Sequence, residues 1–261
     1  PTLTKPTPGQ AGDASRDAAR PHADWLAGGV IQRDEEPSLY PYEIELAQGG
    51  HRHGLCGLAG VEDPEARIIR PHEATLDKPL ADRVALLETT RVDLEPAFFL
   101  SEDGGRLDAL LLEDVAAAPL VAEHRDADGN LHRLFRISDP ARIKLYQDLL
   151  APLSVAIADG HHRYETGLTF ARKHGIPAGA AGAAKLTVVT SINSPGLTID
   201  PIHRALASPV DLERAAGLVV RRKTVEATTA AEITAAVAEA EASGWAPAIA
   251  AARHGPLRGA A

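Results

Sequence analysis

The sequence predicts an α+β protein: mixed, mostly antiparallel sheets with helices. Three observations carry that prediction. Short apolar or alternating segments recur along the chain. Several of them pair across tight Gly- or Asn-rich turns, as hairpin strands do. Segments with helical spacing fall between these pairs instead of following every strand.

The elements follow in order. Residues 1–12, rich in Pro, Thr and Gly, read as a loose lead-in. Asp17 to Gly28 has helical spacing and a Gly28-Gly29 stop. Ser38 to Leu46 alternates, with Leu39, Pro41, Ile44 and Leu46 set against Tyr40, Glu43 and Glu45. Gly49-Gly50 then turns the chain into a partner strand, His53 to Val61. A hairpin of this kind has one wet face, so His51 and His53 beside the turn are expected to be solvated rather than to hold a metal. Arg67 to Pro71 reads as a short strand, Leu80 to Thr90 as a helix with Leu80, Val84 and Leu87 on one stripe, and Ala97 to Leu100 as a strand. Leu107 to Ala117 has helical character. Leu120 to His124 and Leu131 to Ile137 form a hairpin around Asp126-Ala127-Asp128-Gly129-Asn130, a turn without the closing Glu of a calcium loop. Ser138-Asp139-Pro140 caps a helix running to about Leu150. An apolar run, Leu153 to Ala158, leads through a Gly turn into a helix-like segment from Tyr164 to His174. Leu186 to Ile192 and Gly196 to Ile199 read as another hairpin. Thr229 to Ala242 reads as an amphipathic helix, and Ala246 to Ala251 as a last strand. The expected division is a lead-in, 1–24, a core domain, 25–206, and a C-terminal extension, 207–261.

Composition narrows the function classes. The chain has 261 residues, enough for a sizeable core, with 44% hydrophobic and 24% charged residues. Aromatic residues make up only 4%, so the core must rest on Ala, Leu, Val and Ile. No apolar run reaches the length of a membrane span, and the first residues lack the order of a signal peptide. A cytoplasmic protein without a membrane partner is expected. The net charge of -9 opposes broad nucleic-acid binding, which needs a positive field, but leaves room for a local phosphate site. Cys56, the single cysteine, lies between apolar residues and reads as a packed thiol. Neither composition nor pattern gives the oligomeric state.

The chemistry concentrates in Ala158-Asp159-Gly160-His161-His162-Arg163-Tyr164-Glu165-Thr166. A strand, a tight Gly turn and a helix start present backbone N–H groups to an anion. Asp159 is placed to cap the helix, and Gly160 permits the turn. His161, His162 and Arg163 occupy the first helical turn, where the helix dipole favours negative charge. Arg163 adds a planar fork matched to phosphate oxygens. Adjacent histidines diverge by about 100° on a helix, so His161 and His162 do not bind one ion together. A second group is Arg70-Pro71-His72-Glu73-Ala74-Thr75, followed by Arg83. His72 or Glu73 supplies a general base, and Arg83 binds phosphate or pairs with a nearby acid. His203-Arg204 is the third group.

These stretches resemble a specific family. Ile157 to Thr166 looks like the signature of the uncharacterised family named domain of unknown function 1015. Arg70-Pro71-His72-Glu73-x-Thr75-Leu76 with Asp82-Arg83 and Leu86-Leu87 resembles its upstream motif. Pro195-Gly196-Leu197 with Pro201-x-His203-Arg204 resembles its downstream one. The family's N-terminal Pro-Pro-Tyr-Asp-like motif has no match here, and family members extend further at the C-terminus. The Asp-Gly-His-His-Arg box is in turn similar to that of ParB/sulfiredoxin-like proteins, among them partition proteins, sulfiredoxins and free-serine kinases.

That resemblance implies a ParB/sulfiredoxin-like core and a bound nucleotide, ATP or another, with Mg²⁺. It implies phosphoryl transfer to a small hydroxylated metabolite. Glu73, His72, Asp159 and His161 are then the catalytic candidates. Gly160, His162, Arg163, Arg70, Arg83, His203 and Arg204 are the candidates for holding the nucleotide, and Asp159 is the metal ligand. A phosphohydrolase with the same pocket, and a non-catalytic nucleotide-binding module, are the competing expectations.

Overall fold

In a computed structural model, the protein is described over residues 14–72 and 77–198, with short pieces beyond. By internal contacts the chain forms two compact units, Pro1–Leu197 and Thr198–Ala261.

The first unit is built on one mixed eight-stranded sheet. Its strands are β1 (Tyr40–Glu45), β2 (His51–Gly60), β3 (Ile69–Arg70), β4 (Ala97–Ser101), β5 (Leu120–Arg125), β6 (Leu131–Phe135), β7 (Val155–Asp159) and β8 (Ala184–Ser191), in the order β3-β7-β4-β8-β2-β1-β6-β5. Pairing is parallel at β3–β7 and β4–β8 and antiparallel at the other neighbours. The described helices are α1 (Ala14–Ala27), α2 (Asp77–Thr90), α3 (Arg106–Ala117), α4 (Pro140–Leu150) and α5 (His161–Lys173). The α+β class with a mostly antiparallel sheet is therefore what the chain adopts. None of the described helices is long and apolar enough to cross a membrane.

Two predicted hairpins form. Tight turns join β1 to β2 and β5 to β6, the second held by Asp126, which accepts from the backbone N–H groups of Asp128 and Asn130. Asp139 caps α4 by accepting from Ala141 N–H, with Pro140 in the first turn, as its sequence indicates. Asp103 ties β4, β8 and α3 together. Its carboxylate accepts from Ser101 Oγ, Ser191 Oγ and Leu107 N–H.

The third predicted hairpin is not formed over the described residues, which end at 198 in this stretch. β8 ends at Ser191, and the chain turns through Asn193 and Gly196, with Leu197 N–H bonding back to Ser194 O. The reason is a close crossing. A Cβ at Gly196 would stand 2.1 Å from His51 O, so this glycine lies directly on the β1–β2 turn. Arg52 Nε donates to Gly196 O at 3.1 Å. Backbone that contacts a turn in this way is not extending a sheet.

Leu55, Phe99, Leu107, Leu111, Tyr146, Ile157, Tyr164 and Val189 form the core. Leu107 and Leu111 come from α3 and Tyr164 from α5, so both helices cover the same sheet face, with Phe99 edge-on to Tyr164. Burying each such side chain stabilises the fold by about 1.5–3 kcal/mol. The opposite face presents half-buried Tyr42, Ile44, Arg52 and Phe98.

The β1 parity corrects one expectation. Pro41 and Glu43, an even step apart, are both buried, whereas Ile44 lies on the other face. The predicted alternation mixed the two faces between Pro41 and Ile44. His53 is likewise not solvated: it faces Glu43 across the hairpin and is only 4% exposed. His51 is exposed, as its place beside the turn implies.

In the second unit, β9 (Ala205–Leu206) pairs in parallel with β10 (Ile249–Ala250), and positions 232, 235, 238 and 239 are helical. β10 falls within the predicted last strand.

Candidate functional site

The Asp-Gly-His-His-Arg box forms the junction of β7 and α5. The helix begins at His161, three residues before the helical spacing of the sequence becomes visible, because Gly160 takes the N-cap position in the left-handed region (φ 87°, ψ 33°). Gly160 O accepts from Tyr164 N–H, closing the first turn. Asp159 is not the cap. It ends β7, and its carboxylate pairs with Arg163 Nη2 one turn further on. A left-handed Gly cap has no side chain to offer the helix N–H groups.

Arg163 is folded back over the turn. A Cβ on Gly160 would stand 2.7 Å from Arg163 Nε. Its other terminal nitrogen donates to Pro96 O at 2.6 Å, at the entry to β4. The guanidinium is therefore aimed by two fixed oxygens, one a main-chain carbonyl and one the side chain of Asp159, which is 73% exposed.

The upstream motif arrives on β3, parallel to β7. His72, just past β3, donates from Nδ1 to Ile157 O at 2.8 Å. Its backbone N–H donates to His161 Nε2 at 3.2 Å. The rings meet edge to face at 4.4 Å between centroids. His161 is buried at 4% exposure, while His72 is exposed. The two bonds settle proton positions: His72 carries hydrogen on Nδ1, and His161 Nε2 is an acceptor. The carboxyl ends of two parallel strands and a helix N-terminus thus bring His72, His161, Asp159, Gly160 and Arg163 together, at the kind of edge where open sheets bind ligands.

The remaining candidates sort by distance from this centre. Arg83 pairs with Glu95 at 3.3 Å and lines a cavity of about 40 Å³ with Arg163, Lys185, Asp93 and Thr166. Arg70 is exposed, and its Nε is bonded to Arg67 O, outside the cluster. His162 is half-buried in the first helical turn, with its carbonyl accepting from Thr166 Oγ1. Glu73, His203 and Arg204 lie outside the described residues.

Lys185 and Asp93 are absent from the sequence-based set. Lys185, 4% exposed, pairs with Asp93, whose carboxylate also takes Leu186 N–H at 2.7 Å. Burial pushes the Lys185 ammonium pKa down and Asp93 opposes that, while Arg163 and Arg83 push the same way as burial. A single Lys inside the apolar run of β8 is the signal that was available. Arg163 also lines a second, largely apolar cavity of about 210 Å³ with Tyr42, Arg52, Phe98, Val188 and Thr190.

A family model described as "Protein of unknown function (DUF1015)" matches residues 2–242. The chain belongs to that family. Neither the curated proteins nor the solved structures gave a significant match.

Proposed function

We propose that this member of the DUF1015 family is a nucleotide-dependent phosphotransferase acting on a small hydroxylated metabolite in the cytoplasm. The sheet edge around α5 would be its ParB/sulfiredoxin-like core, and its partners would be a nucleotide and a small acceptor rather than nucleic acid. One observation carries the reading: His72, His161 and Arg163 converge on the Gly160 turn, at the N-terminus of α5.

The helix N–H groups and Arg163 hold the terminal phosphates. The guanidinium reaches them by exchanging the Asp159 carboxylate for phosphate oxygens, a low-cost swap because that carboxylate is 73% exposed and screened by solvent. The apolar cavity beside Arg163 takes the nucleoside between Tyr42 and Phe98. The donor set fits phosphate directly, and Asp159 with the phosphates would hold Mg²⁺, which neutralises charge on the transferred group. His72, with its hydrogen on Nδ1, has Nε2 left to accept a proton; Glu73, next in sequence, is the alternative base. In the transfer, the acceptor oxygen bonds to the terminal phosphorus as its proton passes to the base. The bond from that phosphorus to the bridging oxygen breaks, and the nucleoside diphosphate leaves.

Calorimetric titration with ATP, ADP and CTP, with and without Mg²⁺, tests the site. The wild type should bind, and Arg163→Ala should bind about 10–100-fold more weakly, the worth of charge-assisted phosphate contacts. Equal binding by both would remove phosphate from this loop. Glu73→Gln and His72→Gln then ask which residue is the base, through loss of turnover at unchanged nucleotide affinity. Phosphate release from a phosphorylated metabolite with no nucleotide present would replace the transferase by a hydrolase.

A further inference from the structure

We infer that Glu43, His51 and His53 form a binding site for one divalent first-row transition ion, with zinc the best-fitting occupant. The site shares no residue with the α5 junction, although His53 also lines the cavity beside Arg163, and it stands on its own observations.

The hairpin register sets Glu43 opposite His53 and Glu45 opposite His51. His51 and His53, two residues apart, present parallel rings 6.3 Å between centroids. Glu43 Oε1 lies 3.0 Å from His51 Nδ1 and 3.5 Å from His53 Nε2. One ligand atom from each of the three residues falls within a 4.8 Å group, the one such cluster among the described residues. Ligands at about 2.1 Å around a tetrahedral ion stand about 3.4 Å apart, so a modest closure completes the set. Two of the three side chains are buried, and His51, 49% exposed in its side chain, is the one that can swing.

A buried polar atom without a partner points to the occupant. His53 Nε2 is fully buried and accepts no hydrogen bond. Its opposite nitrogen, Nδ1, lies 3.3 Å from Asp108 Oδ1 on α3. That bond places the hydrogen on Nδ1 and leaves the Nε2 lone pair directed into the cluster. A carboxylate behind a histidine in this way is how metal-ligating imidazoles are oriented and made more basic. A histidine packed only for bulk would leave an acceptor unsatisfied, an unfavourable state for a core side chain.

The surrounding charge also favours a cation. Arg133 bonds Glu43 Oε2 at 2.9 Å, which fixes the carboxylate and leaves Oε1 to the histidines. The same guanidinium is shared with Glu45 and Glu123, each at 3.0 Å. Three carboxylates thus share a single guanidinium, and a fourth, Asp108, lies behind His53. Two imidazoles and one carboxylate select zinc and its neighbours over calcium or magnesium, which take oxygen ligands. Three protein ligands with one at the solvent edge leave a fourth position for water or a small ligand. Gly196, lying on His51 O, and Arg52, bonded to Gly196 O, hold the backbone that carries His51.

The test is a titration of chelator-stripped full-length protein with Co²⁺, followed by Zn²⁺ competition. One equivalent of Co²⁺ should produce a visible d–d band that Zn²⁺ abolishes. His51→Ala, a change at a half-exposed side chain, should weaken binding at least about 100-fold while thermal unfolding shows the fold intact. Asp108→Asn should weaken it about 10–100-fold by releasing the imidazole. His72→Ala should leave the band unchanged. Absence of the band in wild type, its survival in His51→Ala, or its loss in His72→Ala instead would overturn the site.

Discussion

Two histidine pairs in this protein share a plan and differ in one bond. In each, one ring is buried at 4% exposure, His161 or His53, and the other, His72 or His51, is exposed. At the α5 junction the buried Nε2 receives a backbone N–H from the exposed partner's own residue. On the β1–β2 hairpin the buried Nε2 receives nothing. The first pair is complete without a ligand and sits beside a cationic turn. The second is complete only with an electron-pair acceptor. The bonding of the buried nitrogen, more than burial, distinguishes the two pairs and underlies the different roles proposed for them.

Substitutions can break each half separately. The largest effect is expected from Gly196→Ala, since a Cβ there meets His51 O at 2.1 Å and neither backbone can yield cheaply. It should lower stability by about 3 kcal/mol, the upper part of the overpacking range, and weaken Co²⁺ binding, with nucleotide affinity retained. Urea denaturation and the two titrations check this. A loss under about 1 kcal/mol would show that the crossing is loose.

Gly160→Ala acts on the other half. Its positive φ costs a non-glycine residue about 1–2 kcal/mol, and the new methyl displaces Arg163. Stability should fall by that amount and nucleotide affinity by about 10-fold, with Co²⁺ binding unchanged. Retained nucleotide affinity would detach Arg163 from the ligand.

Arg133→Gln sharpens the electrostatics of the hairpin. Burial raises the Glu43 carboxyl pKa, but the hydrogen bond and the charge of Arg133 act against it, and the group lies below its ordinary 4.5. A depressed folded pKa adds stability above pH 4.5 that is lost as pH falls through the folded value. As pH rises to about 5 from the acid side of 4.5, the variant should gain less stability than the wild type, compared by denaturation midpoints. An identical gain would mean that Glu43 is held down without Arg133.

The smallest effect belongs to Asp159→Asn. A pair whose carboxylate is solvent-screened in this way is worth under about 1 kcal/mol, so stability barely moves. Nucleotide affinity without Mg²⁺ should rise, because Arg163 no longer has to leave a carboxylate. A fall would mean that Asp159 serves as the aiming device and not the competitor.

What could be read from the chain follows the same division. The α5 junction is written contiguously: an apolar run, Asp159-Gly160, then two histidines and an arginine, and local geometry suffices to place them. Only the cap was misplaced, because Asp159 had a stronger partner, Arg163, one turn away. The α+β class and two of the three predicted hairpins were legible for the same local reason. The Glu43–His53–Asp108 group was not. It needs the strand parity of β1, the register of β2 and the packing of α3, three facts that no single window of sequence contains. Lys185 and Asp93, 92 residues apart, are joined only by the tertiary fold. The missed hairpin at Gly196 failed because its turn residues serve a close crossing, which looks the same in sequence as a strand connection.

The register of the β1–β2 hairpin has a consequence for how faithfully the chain folds. β2 contains Gly54, Gly57 and Gly60, and glycine-rich strands specify their pairing weakly because few side chains interlock. A slip of one residue would send Glu43 and His53 to opposite faces and leave a carboxylate buried without its partners, which strongly disfavours that state. The polar group inside this hairpin thus acts as a proofreading element. It penalises the misaligned hairpin more than it stabilises the correct one, and it does so whether or not an ion is bound.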